Sequence, residues 1–282
     1  MTDQPKEKPL EHRGRIFEAE MRTTATPEQV YEAWADPTKI AQWFVDKAEG
    51  KAERGATITW FFEKFNYTIP YEVLHAEPGK RFAIRWNPPP GMSAGLHDVT
   101  IAKEGGITLM RMIESGFREG AEWDEEFEGT ASGWQMALAL LKHYLENYFG
   151  SPRCSFLVMK PAEYTFDRLL PFHRTSAGLQ KWLTASGAFG EVGENFKLQL
   201  KQGGSVTGKV LAKTKRETAL SWDEIHGALE LKGFSMGPQK MICVRGCGWG
   251  LSAARAKEIE HQMEQALDFL AQALASAAHA SP

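Results

Sequence analysis

Residues 26–44 read TPEQVYEAWADPTKIAQWF, and this stretch predicts two short helices in succession. Thr26 is a favourable N-cap, and the proline and glutamate that follow it suit the first turn of a helix. Apolar side chains then recur at helical spacing up to Pro37, before which the first helix is expected to end. The second helix, at about 38–45, places two aromatic side chains on one side.

Apolar alternation predicts one strand before these helices and five after them. Glycine and proline turns separate the strands, which are expected at 14–23, 56–63, 67–76, 80–87, 97–103 and 107–115. A long helix follows at about 123–148, in which Trp134 and several leucines recur at helical spacing. We therefore expect an α+β domain in which a curved antiparallel sheet wraps around a long C-terminal helix.

The second half of the chain repeats this plan. Three segments align in the same order: SAGLQKWL (176–183) with PTKIAQWF (37–44), VLAKTKRETALSW (210–222) with VLHAEPGKRFAIRW (73–86), and the helix at 262–274 with that at 133–145. Trp182 falls on Trp43, and Trp222 falls on Trp86. Three matching segments in the same order along the chain indicate an internal duplication. We predict a flexible N-terminal tail at 1–13, a first domain at 14–150 and a divergent second domain at 153–278.

The first half resembles a known family. The resemblance is carried by Thr26–Trp34, Gln42–Phe44, Glu114–Phe117, Gly133-Trp134 and Leu141–Leu145. The sequence at these positions resembles that of the START-like superfamily, also called SRPBCC or polyketide cyclase-like. Within this superfamily it resembles the family named after the activator of heat-shock protein 90 ATPase. The resemblance implies two tandem helix-grip domains, of which the second is divergent.

A curved sheet around a helix leaves space that the helix alone does not fill. In the first domain we expect this space to bind a small hydrophobic or aromatic molecule without catalysis. The residues expected to line it are Trp43, Trp60, Tyr71, Trp86, Met110, Met112, Glu114 and Trp134. Aromatic rings and methionine thioethers suit flat apolar ligands. The alternative is that the same side chains simply form a closed core, which is the commoner fate of an aromatic stripe.

Glu114 is the polar residue of greatest interest, because it shares a strand face with the apolar Met110. A carboxylate that faces an apolar cavity needs a partner or a proton. Glu114 is therefore expected either to contact the ligand or act as a general base, or to form an ion pair at the rim with Arg85 or Arg111. The second copy has Gly246 at this position, so the role of Glu114 is not duplicated.

Two further polar features, His75 and the acidic run Asp124–Glu126, can each be interpreted as functional or as purely structural. His75 continues the alternation of Tyr71 and Val73, so it either faces the cavity or is an ordinary solvated histidine. The acidic run Asp124–Glu126 opens the long helix. Consecutive acids on a helix point in different directions, so we expect them to favour the helix dipole rather than bind a cation.

Composition excludes several classes of protein. The net charge of −3 comes from 33 basic and 36 acidic residues mixed along the chain, which gives no reason to expect nucleic acid or an anionic membrane as partner. No apolar run is long enough to span a membrane, and the polar first residues are not a secretory signal. Three cysteines are an odd number, which indicates reduced thiols and a cytoplasmic protein. No cofactor or metal motif is present, so neither is expected.

Two other function classes stay open. One is a co-chaperone-like or other protein-interaction module, which the resemblance implies and which would involve a protein partner or a homodimer. The other is a cyclase/aromatase-type or hydrolase-type enzyme in which Glu114 performs acid or base chemistry. Comparison of turnover with ligand affinity in a Glu114→Gln variant separates an enzyme from a binder.

Overall fold

The computed structural model describes residues 10–88 and 95–279 of the chain. Residues 1–9 of the predicted tail lie outside the described residues. The chain forms two antiparallel sheets of seven strands each, and each sheet is accompanied by two short helices and one long helix. The two sheets are separate, as expected for two tandem helix-grip domains, and the predicted fold class is confirmed. Within the described part, no helix is both long and apolar enough to cross a membrane.

The elements of the two domains follow the same order. The first domain consists of β1 (Arg15–Thr23), α1 (Pro27–Ala35), α2 (Pro37–Ile40), β2 (Lys47–Gly50), β3 (Thr57–Phe62), β4 (Tyr67–Glu77), β5 (Arg81–Trp86), β6 (Gly95–Glu104), β7 (Ile107–Phe117) and α3 (Asp124–Asn147). The second consists of β8 (Arg153–Pro161), α4 (Phe166–Arg174), α5 (Ser176–Trp182), β9 (Thr184–Ala188), β10 (Asn195–Leu200), β11 (Ser205–Lys213), β12 (Glu217–Trp222), β13 (Gly227–Met236), β14 (Gln239–Trp249) and α6 (Ala253–His279).

The strand orders are also equivalent. They are β1-β7-β6-β5-β4-β3-β2 in the first domain and β8-β14-β13-β12-β11-β10-β9 in the second. The first domain thus has six strands after its short helices, where five were predicted. The additional strand is β2, whose sequence KAEG has only one apolar residue and therefore gives no alternation signal. The second helix is also shorter than predicted and ends at Ile40.

The opening stretch folds as its sequence predicts. Thr26 Oγ1 accepts a hydrogen bond from the backbone N–H of Gln29 at 3.2 Å, and Gln29 Oε1 accepts one from the backbone N–H of Thr26 at 2.9 Å. This reciprocal pair is a capping box, which satisfies two donors at the start of α1. Asp36 then ends α1 and caps α2.

A hydrogen bond confirms the predicted alignment of the two copies. The indole Nε1 of Trp43 donates to the carbonyl of Ala33 at 2.8 Å, and that of Trp182 donates to the carbonyl of Phe172 at 3.0 Å. Both bonds span ten residues, and both tryptophans are fully buried. The same side chain thus fixes the same pair of short helices in each domain.

Helix α3 lies between the two domains. It packs against β1 of its own sheet and also against β11 and β12 of the second domain. The acids Asp124–Glu126 form its first turn, as predicted. At the other end of the interface, Trp249 Nε1 donates to the carbonyl of Gln42 at 2.8 Å, and the Trp249 ring stacks on Tyr148 with centroids 4.5 Å apart. The second domain is therefore in direct contact with α3 of the first domain and with the segment between α2 and β2.

Candidate functional site

A cavity of about 340 Å³ lies in the first domain, between the concave side of the sheet and α3. Its aromatic lining consists of Phe44, Trp60, Phe62, Phe65, Tyr71, Trp86, Phe117 and Trp134. Two side chains of the second domain, Lys232 and Arg245, also border it. The cavity is therefore mostly aromatic, and two cations of the second domain lie at its border.

Five of the predicted site residues line this cavity: Trp60, Tyr71, Trp86, Glu114 and Trp134. Their rings lie close together. The centroids of Trp60 and Tyr71 are 4.7 Å apart. Trp134 also stacks on Phe44, at 5.0 Å. The structure thus brings together residues from β3, β4, β5, β7 and α3, as a sheet wrapped around a helix requires.

The other three predicted site residues do not line the cavity. Trp43 is held by its hydrogen bond to Ala33, and Met110 accepts a hydrogen bond from Trp34 Nε1 at 3.3 Å. Met112 is fully buried in the same core. These three side chains belong to the buried core of the first domain, as do Val30, Ala33 and Trp34 of α1.

Glu114 lies directly opposite His97 on the neighbouring strand. Side chains at opposite positions of an antiparallel pair lie on the same face of the sheet, so both enter the cavity. His97 Nε2 is 3.7 Å from Glu114 Oε1. The predicted ion pair at the rim is wrong, since Arg85 pairs with Glu72 and Arg111 pairs with Glu18.

Burial keeps both members of this pair neutral. Burial lowers the pKa of His97 from 6.5 to about 3. Burial also raises the pKa of Glu114 from 4.5 to about 8, against an opposing effect of hydrogen bonding from Trp134. Burial, and then the proximity of Glu114, raise the pKa of the Tyr71 hydroxyl well above its ordinary value. At neutral pH the site therefore presents a carboxylic acid, a neutral imidazole and a phenol.

Three polar atoms of the cavity-lining side chains lack a hydrogen-bond partner among the described residues. They are Trp60 Nε1, His97 Nδ1 and Glu114 Oε2. A buried polar atom without a partner costs about 1–3 kcal/mol, and folded proteins contain few of them. Three such atoms therefore lie together around one cavity, and others are found elsewhere in the described part of the chain.

His75, one of the sequence candidates, does not face the cavity. The register of β4 with β5 shifts between Val73 and His75, which is a β-bulge that inserts one extra residue. His75 is consequently paired with Ala83, which alternates with the core residues Phe82 and Ile84. The bulge thus turns His75 to the outer face of the sheet.

Sequence reasoning missed His97 and both cations of the second domain. His97 alternates with Val99 and Ile101, which are both buried, so the strand pattern did place it on the inner face. Its proximity to Glu114 depends on the register of β6 with β7, which no local pattern gives. Lys232 and Arg245 reach the cavity only because the second domain packs against the first.

The second domain does not duplicate the polar pair. Glu114 is paired with Phe17 and His97 on its two neighbouring strands, and Gly246 is paired with Phe156 and Leu229. A Cβ atom on Gly246 would lie 2.4 Å from Cζ of Phe156. The phenyl ring therefore occupies the space that a side chain at this position would need.

Comparison with known proteins finds one family model that is similar to the first domain. Residues 24–146 match the family model described as Activator of Hsp90 ATPase homolog 1-like protein. No curated protein matches the chain.

Several solved structures are similar to the chain. One is DynU16, described as a putative protein in the dynemicin biosynthetic locus, at 17% identity over 92% of this chain and 98% of that one, with a TM-score of 0.42. Another is the di-domain ARO/CYC BexL from the BE-7585A biosynthetic pathway, at 13% identity over 95% and 100%, with a TM-score of 0.42. A third is the Aha1 dimer from Colwellia psychrerythraea, at 19% identity over 47% and 96%, with a TM-score of 0.42. The strand orders of the two sheets make the chain two tandem helix-grip domains, and residues 24–146 of the first are similar to the Activator of Hsp90 ATPase homolog 1-like family.

Proposed function

We propose that the first domain binds a small, flat, apolar molecule that carries at least one polar atom, in the cavity between its sheet and α3. The observation that supports this most strongly is the group of three buried, unpartnered polar atoms on Trp60, His97 and Glu114. A core that served only stability would be expected to pair them or replace them with apolar groups.

The size and lining of the cavity support a planar ligand. A volume of about 340 Å³ falls in the range of small-molecule sites. Rings approach the cavity from two sides, with Trp60 and Tyr71 on the sheet and Trp134 on α3. Flat aromatic bodies gain both burial and ring stacking between such walls.

The polar atoms restrict the chemistry of the ligand further. A protonated Glu114 can donate a hydrogen bond, and so can the indole of Trp60. An oxygen on the ligand, such as that of an aromatic ketone, quinone or phenol, would accept from both. The neutral His97 offers one donor and one acceptor, and its tautomer would adjust to the ligand.

Binding can be tested with N-phenyl-1-naphthylamine, a neutral fluorescent probe with a flat aromatic body. Gly133 on α3 lines the cavity, and a Cβ atom there would meet no atom within 4 Å. A Gly133→Leu variant therefore places an added side chain, whose Cβ atom meets no wall atom, at the cavity. We expect saturable fluorescence enhancement with the wild type and at least tenfold weaker binding, about 1.4 kcal/mol, with the variant.

The matched control is Gly129→Ala, one turn earlier on α3. Its Cβ atom would be 3.7 Å from Arg216 of the second domain and outside the cavity. This variant should bind the probe as the wild type does. Absence of probe binding to the wild type, or equal binding to the wild type and Gly133→Leu, would contradict the proposal.

A second candidate function is general acid catalysis, which the pair of Glu114 and His97 favours. A carboxyl group with a pKa of about 8 holds its proton at neutral pH and can transfer it to a bound oxygen, which is the property required of a general acid. Any compound that displaces the probe can be incubated with the protein and examined for conversion. Conversion by the wild type, together with retained binding but no conversion by Glu114→Gln, would support catalysis over simple binding.

A further inference from the structure

The second domain contributes two cations to the border of the first domain's cavity. Lys232 lies on β13 and Arg245 on β14, and their side chains are 13% and 26% exposed. Each is anchored by a buried acid of its own domain. Lys232 Nζ is 3.2 Å from Glu217, and Arg245 Nε donates to Glu230 at 2.7 Å. Both cations are thus held in place by the second domain.

Arg245 retains unused hydrogen-bonding capacity. Only its Nε is bonded, to Glu230, and its two terminal amino groups donate to no protein atom in the described part of the chain. A guanidinium group that is fixed at one nitrogen and free at the other two presents a forked pair of donors, which matches a carboxylate or a similar anion. Anchoring by Glu230 also reduces the entropy that the side chain would lose on binding.

Both positive and negative side chains lie at the border of the cavity. Glu126 of α3 also borders the cavity and carries the opposite charge, but it is exposed to solvent, where its field is screened. The acids Glu217 and Glu230 are already engaged by Lys232 and Arg245. The terminal amino groups of Arg245 and the remaining N–H donors of Lys232 are therefore available to a ligand at this border, and only Arg245 offers a planar fork.

On the basis of the binding function proposed above, we propose that the second domain supplies the anion-recognising part of the site. The ligand would then be an aromatic molecule with an acidic group, such as a carboxylate, that is held by Arg245 at the boundary between the domains. The second copy of the domain would act as a wall of one composite site. This accounts for its retention of the fold without the polar pair of Glu114 and His97.

The test compares two probes that differ by one acidic group. N-phenyl-1-naphthylamine is neutral, and 8-anilino-1-naphthalenesulfonate has the same aromatic body with a sulfonate. We expect the anionic probe to bind the wild type at least about tenfold more tightly, the effect of one hydrogen bond to a charged group. In Arg245→Lys, which keeps the charge and loses the fork, the ratio of the two affinities should fall toward one.

One further variant keeps the test valid if Arg245→Lys is unstable, and a surface variant serves as the control. The double variant Arg245→Gln/Glu230→Gln removes both charges of the buried pair together, and it should also abolish the preference. Arg255→Gln, on an exposed arginine of α6 away from the cavity, should leave the ratio unchanged.

The outcomes separate the two proposals. If neither probe binds, the proposed function fails. If the neutral probe binds in the cavity but the anionic probe is no tighter, or if its preference survives in both the Arg245→Lys and the double variant, the role of the second domain is wrong and the binding function stands. A preference that is lost in Arg255→Gln would also overturn the inference, because it would place the anion on the surface of α6.

Discussion

Glu114 and His97 form a neutral pair inside an aromatic cavity. Each would be charged at neutral or mildly acidic pH in water, but burial disfavours the charged form of either group. Their side chains are opposite each other on adjacent strands, which keeps them close together, and both are buried away from solvent. The protein thus maintains a costly arrangement at one place, which is typical of a functional site.

The raised pKa of Glu114 predicts how stability depends on pH. The carboxyl group titrates near 4.5 when unfolded and at about 8 in the folded protein. Between these values the unfolded chain has lost the proton while the folded protein keeps it, so rising pH favours unfolding. The wild type should lose roughly 1 kcal/mol of unfolding free energy per pH unit through this group, and the loss should level off above pH 8.

Glu114→Gln should remove this dependence. The free energy of unfolding of the variant relative to the wild type, measured with urea at pH 5, 6, 7 and 8, is expected to rise across the series. His97 acts below pH 6.5, where the unfolded imidazole gains a proton that the buried one does not, and it is present in both proteins. A difference between the two proteins that is constant from pH 5 to 8 would contradict a buried neutral carboxyl.

Strand β14 shows why the second domain lacks the polar pair. Gly246 takes the place of Glu114, and a Cβ atom there would lie 2.4 Å from the Ala228 carbonyl oxygen and 2.4 Å from Phe156 Cζ. Gly246→Ala should therefore destabilise the protein by about 1–3 kcal/mol through overpacking. The measurement is urea denaturation, with Gly133→Ala as the control, because that methyl group enters open space and improves helix propensity. Equal stability of the two variants would contradict this packing.

The elements that could be predicted from sequence are those with a strong local signal. The capped helix start at Thr26 and the two equivalent tryptophans, Trp43 and Trp182, were predicted correctly because each depends on neighbours within about ten residues. Strand β2 was missed because its sequence has no alternation. Of the two alternatives predicted for His75, the one away from the cavity is observed, because the bulge before it breaks the two-residue period that it would otherwise share with Tyr71 and Val73.

The site as a whole could be predicted only in part. Strand and helix periodicity placed five of the eight predicted residues at the cavity, since a side chain's face follows from its position in the element. The pairing of Glu114 with His97 depends on strand register, and the contribution of Arg245 depends on the contact between the domains. Neither is encoded within a local window of sequence.

The contact between the domains predicts that they unfold together. Trp249 of the second domain donates to Gln42 and stacks on Tyr148 of the first, and α3 packs against both sheets. Thermal unfolding followed by near-ultraviolet and far-ultraviolet circular dichroism should give one coincident transition. Trp249→Phe, which keeps a ring and loses the donor to Gln42, should lower the unfolding free energy by about 1 kcal/mol. Two separate transitions in the wild type would contradict a shared interface.

The most direct test of the account is a crystal structure of the chain with N-phenyl-1-naphthylamine. We predict one probe molecule per chain, in the cavity between the sheet and α3 of the first domain, with its amine near Glu114 or His97. A probe bound on the outer surface or within the second domain, with the cavity of the first domain left without a probe molecule, would contradict this prediction.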